Sequence, residues 1–399
     1  MSLFHDKTFR AAGFAHLAVD ILNSQVAILL AYLSGPLQLS NALIGLVSTL
    51  YSLSGSLSQP IFGWISDWGR AKSFAVGGVV WMAGCFTVAL LIPGRLALIS
   101  LVVGALGSAA FHPTGASEAT KRGQRHLARL EITAASIFFF FGQGGLFIGP
   151  MLGGPLLDRW GKDGLFILFF IVIPAAIYMQ WVWQPDESVR RQAPKRVSSG
   201  AFTWRSLPGI STFILLIFLR AWTQMSVNAF LPKYLRDLGF RPGIFGPISA
   251  LFMGGAAIGG VLGGWLADRY GNRIVTFWSL TLAVAPIFGL AIAQDPSTFA
   301  TLTFIAGVLV GAPHSILIVL AQRMLPGQMG AASGLVLGFT FASGAIGNLF
   351  SGFIADWADL PSLFHILAAL CGVAAVLALS LKRRTIPSAA PSPTQPQYD

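Results

Sequence analysis

Twelve long apolar runs constrain this chain more than any other feature. They lie near 11–33, 42–65, 73–92, 96–117, 133–157, 164–184, 209–231, 244–267, 274–293, 298–320, 331–354 and 361–381. A helix needs about 20 mostly apolar residues to cross the hydrocarbon layer. Backbone polar groups at that depth must be satisfied within the helix itself. The runs therefore predict an all-α membrane protein of twelve transmembrane helices. A length of 399 residues would otherwise point to two or three soluble domains. Only 10% of the residues are charged, against roughly a quarter in a soluble domain, which is too little to cover a water-facing surface.

The net charge of +11 reads as a topology signal and not as a nucleic-acid footprint. Nineteen of the 26 Lys and Arg residues fall in the termini and the even-numbered connections. Six fall in the odd-numbered ones (Arg95, Arg159, Lys162, Lys233, Arg236 and Arg241), and Arg220 lies inside a run. Positive residues stay on the cytoplasmic side, so both termini are expected inside. The first ten residues lead into a long apolar helix with no small-residue cleavage site, and no removable signal peptide is expected. Cys85 and Cys371 both fall within runs and read as inert buried thiols.

The stretch 185–208, with three prolines and five basic residues, separates two sets of six runs. The expected organisation is an N-terminal six-helix bundle (1–184), a cytoplasmic linker (185–208), a C-terminal six-helix bundle (209–381) and a disordered cytoplasmic tail (382–399). A repeat supports this division. Gly-x-x-x-Asp closes the second run (Gly63, Asp67), the fifth (Gly154, Asp158), the eighth (Gly264, Asp268) and the eleventh (Gly352, Asp356). One such match carries no weight, but four at corresponding ends mark two halves, each built of two inverted three-helix units. That is a transporter architecture with its site between repeats near the midplane.

Gly264-Trp-Leu-Ala-Asp268-Arg269-Tyr-Gly271-Asn-Arg273 resembles the signature loop of the major facilitator superfamily. The first-half copy, from Gly63 through Asp67 to Arg70, is one residue shorter and lacks the basic residue after Asp67. The resemblance implies a conformational latch at these residues. Gly145, Gly149, Pro150, Gly153 and Gly154 are similar to the motif of the superfamily's antiporters. Small residues at this density also let helices pack closely. Further segments resemble the fosmidomycin-resistance branch: Ala15-His16 with Asp20, Ser58-Gln59-Pro60, Gly107-Ser108, Phe111-His112-Pro113, Leu325-Pro326-Gly327 and Ser333-Gly334-Leu335. Thr114 stands where members of that branch carry glutamate after the His-Pro pair. The resemblance runs from about residue 15 to 380 and implies proton-driven export of small molecules.

Ionisable groups at bilayer depth are costly and usually serve a function. Asp20 lies about mid-membrane in the first run, with His16 one turn before it and Ser24 one turn after, on one face. Asp20, His16 and His112 are the candidates for proton coupling. Arg220, at similar depth in the seventh run, begins a polar stripe with Gln224 and Asn228. The resemblance places the first, fourth, seventh and tenth helices around a central cavity. It thereby sets Asp20 opposite Arg220, and the two are expected to pair when no substrate is bound. Candidate substrate contacts are Asp20, Arg220, Gln224, Asn228, His112, His314 and Gln143. Histidine titrates near physiological pH, which suits His112 and His314 to either role.

Glu118 and Glu131 flank a basic loop and read as surface or headgroup charges. The Phe138–Phe141 run reads as lipid-facing and packing surface. No Walker loop, zinc-ligand spacing or nucleophile motif is present, so no cofactor, metal or catalytic residue is expected. The partners are then a small-molecule substrate, protons and the lipid bilayer, with the chain acting as a monomer in a plasma (inner) membrane. The leading reading is a proton-coupled exporter. Uptake by symport or facilitated diffusion is the alternative, and a membrane enzyme or receptor stands behind both.

Overall fold

The computed structural model describes residues 3–66, 70–126, 131–183, 207–324 and 329–381. Every regular element among them is helical. After a 3-10 turn at Leu3–His5, the first set of helices runs α1 (Lys7–Leu33), α2 (Asn41–Leu57), α3 (Gln59–Ser66), α4 (Ala71–Leu91), α5 (Leu96–His126), α6 (Glu131–Trp160) and α7 (Phe169–Val182). The second set runs α8 (Leu207–Asp237), α9 (Pro242–Tyr270), α10 (Asn272–Leu290), α11 (Pro296–Gly311), α12 (Pro313–Met324), α13 (Met329–Trp357) and α14 (Leu360–Ala378).

Helix starts follow from short polar side chains that accept the orphan amides of a first turn. Asp6 accepts from the Phe9 amide at 2.9 Å and starts α1 before the apolar run begins. Ser40 caps α2 through Leu43, Asp295 caps α11 through Thr298, and Asp359 caps α14 through Ser362. Two crossings are broken where proline removes a backbone donor. Pro60 follows the α2–α3 break at Ser58, and Pro313 follows the α11–α12 break at Ala312. Ser58 satisfies itself on the Ser54 carbonyl at 2.5 Å.

Ten helical stretches among the described residues are long and apolar enough to span a bilayer. The difference from the twelve expected runs has a geometric reason. α2 has 17 residues and α3 has 8, so the broken second run forms no single long helix. The fifth and sixth runs merge into one stretch, Ser136–Val182, because a 3-10 segment (Gly161–Leu168) joins α6 to α7. The outward surface is apolar, with Phe140, Phe170, Trp181 and Val261 exposed, while Arg220, Asp20 and His16 are buried. This inside-out distribution suits a lipid environment.

Within the first set, α1 packs on α6 and α4 on α5; within the second, α9 packs on α11 and α10 on α14. The sets meet through α2 with α13, α6 with α9, and α1 with α8. The α2–α13 and α6–α9 contacts include the face away from the chain termini. There, two copies of the Gly-x-x-x-Asp repeat acquire a structural meaning. A Cβ at Gly352 would lie 3.0 Å from the Ala42 Cα, and one at Gly154 would lie 2.8 Å from the Gly246 Cα, so backbone meets backbone at both. Asp356 then accepts from the Asn41 and Ala42 amides at 2.8 Å each, at the start of α2. Asp158 lies beside Gly243 in the first turn of α9 and 3.8 Å from Arg241. At the terminal face, α3 and α12 pack onto helices of their own sets.

Several sequence expectations change here. Glu118 is 3% exposed and not a surface charge, because Arg122 donates to it from Nε at 2.8 Å and also reaches Asp6 at 3.4 Å. The side chain of Glu131 lies outside the described residues. Asp67, most of the linker 185–208 and the tail 382–399 also lie outside them. Cys371 is buried and Cys85 half-buried, and both are free thiols.

Candidate functional site

Two charged clusters sit at matching places in the two sets. In the first, Asp20 of α1 is 6% exposed and faces two imidazoles. His16 Nε2 is 3.3 Å from one carboxylate oxygen, and His112 Nε2, from α5, is 3.5 Å from the other. Both rings are fixed from behind. His16 Nδ1 lies 2.7 Å from the Phe138 carbonyl, and His112 Nδ1 lies 2.8 Å from the Ser108 carbonyl. A carbonyl only accepts, so each Nδ1 carries a proton and each neutral ring turns its Nε2 lone pair toward Asp20. Three acceptors converging in a buried site repel one another unless protons lie between them. The cluster is therefore built to hold protons.

Asn23 completes the arrangement, donating to Asp20 at 2.7 Å and to Ser108 at 3.0 Å while accepting from the Tyr51 hydroxyl at 2.5 Å. Phe138 is fully buried and stacks on His16 with centroids 4.1 Å apart. It belongs to the packing side of the aromatic run and holds the His16 ring in place. Phe140 in the same run is 73% exposed.

α6 approaches α1 through a stripe of glycines. A Cβ at Gly142 would lie 2.6 Å from an Asp20 carboxylate oxygen, and one at Gly145 would lie 2.8 Å from the Asp20 Cβ. One at Gly149 would lie 2.7 Å from the Ile21 carbonyl, and one at Gly153 would meet Gln25. Gly154 turns instead to α9, where the Pro150 carbonyl also approaches Gly246. The antiporter-like motif is therefore a two-sided packing surface, touching the acidic cluster on one side and the second set on the other.

In the second cluster, Arg220 of α8 is 1% exposed. It donates from Nε to the Val310 carbonyl at 3.0 Å and from Nη1 to His314 Nδ1 at 3.2 Å. Arginine has no acceptor, so His314 Nδ1 holds the lone pair and its Nε2 carries the proton. Arg220 Nη2 is buried without a partner, and among the described residues no carboxylate pairs with Arg220. Gln224 and Asn228 are half-buried further along α8, as is Gln143 on α6, and none of the three makes a hydrogen bond among the described residues.

The expected pairing of Asp20 with Arg220 is not formed in this structure. The partners of Asp20 are His16, His112 and Asn23, and those of Arg220 are Val310 and His314. Each charge is engaged by a histidine of its own set. Asn23, Tyr51 and Gly142 were not singled out by the sequence, while Ser108 and Phe138 stood out only as parts of a resembling segment and an aromatic run, without a role in the site. Asn23 could be found as the next polar residue on the Asp20 face, and Gly142 as an extension of the glycine stripe. Tyr51 and Ser108 join only through tertiary packing.

Of the latch candidates, Gly63 lies against Pro113, with an added Cβ 3.4 Å away, and Arg70 is exposed. Gly264 packs beside Ser315, Asp268 and Arg269 are exposed, and Arg269 lies over the Tyr270 ring. Gly271 ends α9 at φ 91°, a left-handed position that favours glycine, and Arg273 follows, half-buried, in the first turn of α10.

The chain is similar to known proteins along most of its length. It is 27% identical over 371 residues to the fosmidomycin resistance protein of Escherichia coli (strain K12), covering 90% of this chain and 89% of that protein. It is 28% identical over 373 residues to the MFS-type transporter YfnC of Bacillus subtilis (strain 168), covering 89% and 88%. Among solved structures, the nucleoside transporter NupG superposes with a TM-score of 0.72 at 18% identity, covering 94% of this chain and 100% of that one. A peptide transporter POT superposes with a TM-score of 0.74 at 16% identity, covering 94% of each chain. The sequence pattern of the Major Facilitator Superfamily matches residues 12–213 and again 213–397. With that pattern repeated along a helical, inside-out fold, the chain belongs to the major facilitator superfamily and is a multi-pass membrane transporter, not an enzyme.

Proposed function

We propose that this transporter is a proton-coupled exporter of a small organic anion, working by alternating access between two halves, 1–184 and 209–381. The observation that carries this reading is the division of chemistry between its two clusters. Asp20, His16 and His112 present only acceptors to one another and so take up protons. Arg220 Nη2 is buried without a partner, and among the described residues His314 Nε2 meets no acceptor and no carboxylate joins the cluster. A buried cation without a counter-charge favours an anionic ligand. Gln224, Asn228 and Gln143 supply further hydrogen bonds along the path.

In this reading the broken second run is one crossing and Ser136–Val182 is two, giving twelve crossings with cytoplasmic termini in an inner membrane, as the basic residues favour. The state described here is then closed at the outer face, where Asp356 and Asp158 meet α2 and α9. The signature loop, with Asp67 and Asp268, latches the cytoplasmic face in the alternate state. Proton entry from outside neutralises the Asp20 cluster and allows return of the empty carrier. The relation to a resistance protein supports export.

The test is proton movement in proteoliposomes containing a pH-sensitive dye, screened with organic phosphates, phosphonates and carboxylates. Proton release triggered by the anion, lost in Asp20→Asn, supports the reading. Anion movement without proton flux, equal in both proteins, leaves a facilitator and removes the coupling role.

A further inference from the structure

The Asp20 cluster has a second chemical capacity, which the sequence spacing hides because His112 is remote from His16 in the chain. One ligand atom from each of His16, Asp20 and His112 lies within 4.8 Å of the other two. An ion with ligand bonds of about 2.0–2.1 Å in tetrahedral geometry holds its donors about 3.3 Å apart. His16 Nε2 stands 3.3 Å from one Asp20 oxygen and His112 Nε2 stands 3.5 Å from the other, so each imidazole already lies close to that spacing from the carboxylate between them.

The groups behind these ligands fit as well. Metal-bound histidines characteristically donate their second ring N–H to a carbonyl or carboxylate, which fixes tautomer and orientation. Here both Nδ1 protons go to main-chain carbonyls, of Phe138 and Ser108. Asn23 Nδ2 holds Asp20, and Tyr51 holds Asn23. The side chain of His112 keeps 20% of its surface exposed, which leaves one side of the cluster approachable.

We propose that His16, Asp20 and His112 form a binding site for a divalent transition cation of the zinc, cobalt or nickel class. Two imidazoles with one carboxylate select this class over magnesium or calcium, which take oxygen donors. Three protein ligands leave a fourth position for water or a small anion. Binding itself does not depend on the transport reading. Its consequence does: an ion seated here occupies the position that protons take during coupling and so arrests the carrier.

The probe is Co²⁺, added to purified full-length protein in detergent micelles after chelator treatment. The expected result is one equivalent per chain with the ligand-field absorption of a four- or five-coordinate ion, displaced by Zn²⁺. X-ray absorption of the zinc form should show two imidazole ligands. His16→Gln and His112→Gln should each weaken binding at least tenfold, while His5→Gln should leave it unchanged. A wild-type protein showing only the spectrum of the hydrated ion overturns the proposal, as does full-strength binding in both histidine variants. Should the variants fail to fold, the wild-type absorption data still decide. Proton flux in chelator-treated vesicles tests the transport reading separately.

Discussion

His112 and His314 hold opposite tautomers at corresponding places in the two helix sets. His112 donates from Nδ1 to the Ser108 carbonyl, whereas His314 accepts at Nδ1 from Arg220. Each stands beside a proline, Pro113 or Pro313, and each serves the charged residue at the fourteenth position of α1 or α8. One scaffold has thereby been given acceptor chemistry in its first half and donor chemistry in its second. The two sites should respond differently to the same substitution. His314→Leu removes an anion donor and is expected to raise the KM for substrate about tenfold, the effect of losing one charge-assisted hydrogen bond. His112→Leu is expected to alter the pH profile of transport more than its KM. Initial rates against substrate concentration at several pH values separate the two.

Arg220 should tolerate no replacement by lysine. Its Nε and Nη1 are spent on Val310 and His314, which leaves Nη2 for ligand. An ammonium carries its donors on a single atom and cannot reproduce this divided geometry. Arg220→Lys is expected to fold but lose substrate binding by about tenfold or more. Direct binding of an anion that wild type transports, followed by calorimetry, checks this. Unchanged affinity would sink the role given to Nη2.

The charged residues of the site were legible in the sequence, and their connections were not. Asp20 and Arg220 stand out because ionisable groups are rare in apolar runs. Their expected pairing is not formed in this structure, where each charge is engaged by histidine from its own set, a tertiary relation that sequence does not display. Glu118 looked superficial beside a basic loop, yet it is buried and paired with Arg122, which also reaches Asp6. The Gly-x-x-x-Asp repeat was visible as a spacing. What Asp356 does at the start of α2 depends on two helices about three hundred residues apart meeting end to end.

Gly142 gives a sharp packing test because a neutral control lies two residues away. A Cβ at Gly142 would press on the carboxylate of Asp20, at 2.6 Å, and on the His16 ring. A Cβ at Gly144 meets only a Leu17 methyl, at 3.8 Å. Gly142→Ala is expected to destabilise the fold by about 1–3 kcal/mol through overpacking and to abolish proton coupling. Gly144→Ala is expected to be near neutral. Thermal unfolding in detergent and proton flux in liposomes measure the two effects.

At the N-termini of α11 and α14, two carboxylates set an acid limit on stability. Asp295 accepts from the Thr298 amide and the Ser297 hydroxyl, and these bonds hold its carboxyl well below the usual carboxylate range. The Ser362 side-chain and backbone donors shift Asp359 the same way. A carboxylate whose folded value lies below its unfolded one stabilises the fold above the unfolded value and ceases to do so on acidification. Stability should therefore be flat near neutral pH and begin to fall below about pH 4. Asp295→Ala and Asp359→Ala should lower Tm at pH 7, and the gap to wild type should narrow as the pH drops through that window. A gap that widened on acidification would contradict the capping role.

Asp356 offers the most direct control over which state the carrier occupies. Its two oxygens accept from the Asn41 and Ala42 amides, so a side chain of α13 caps a helix of the other set. Ser40 already serves α2 from within its own chain segment, through Leu43. Loss of Asp356 should therefore spare the helix and loosen the contact between sets. A capping carboxylate at a helix N-terminus contributes about 1 kcal/mol, so Asp356→Ala is expected to shift the balance away from this state by about fivefold. Asp356→Asn should recover part of that loss, because an amide oxygen still accepts but carries no charge. Spin labels on exposed positions flanking the α2–α13 contact, read as distance distributions, report the population directly. Equal distributions in wild type and Asp356→Ala would mean that the close backbone approach of Gly352 to Ala42 and Gly45 holds this face closed without the carboxylate.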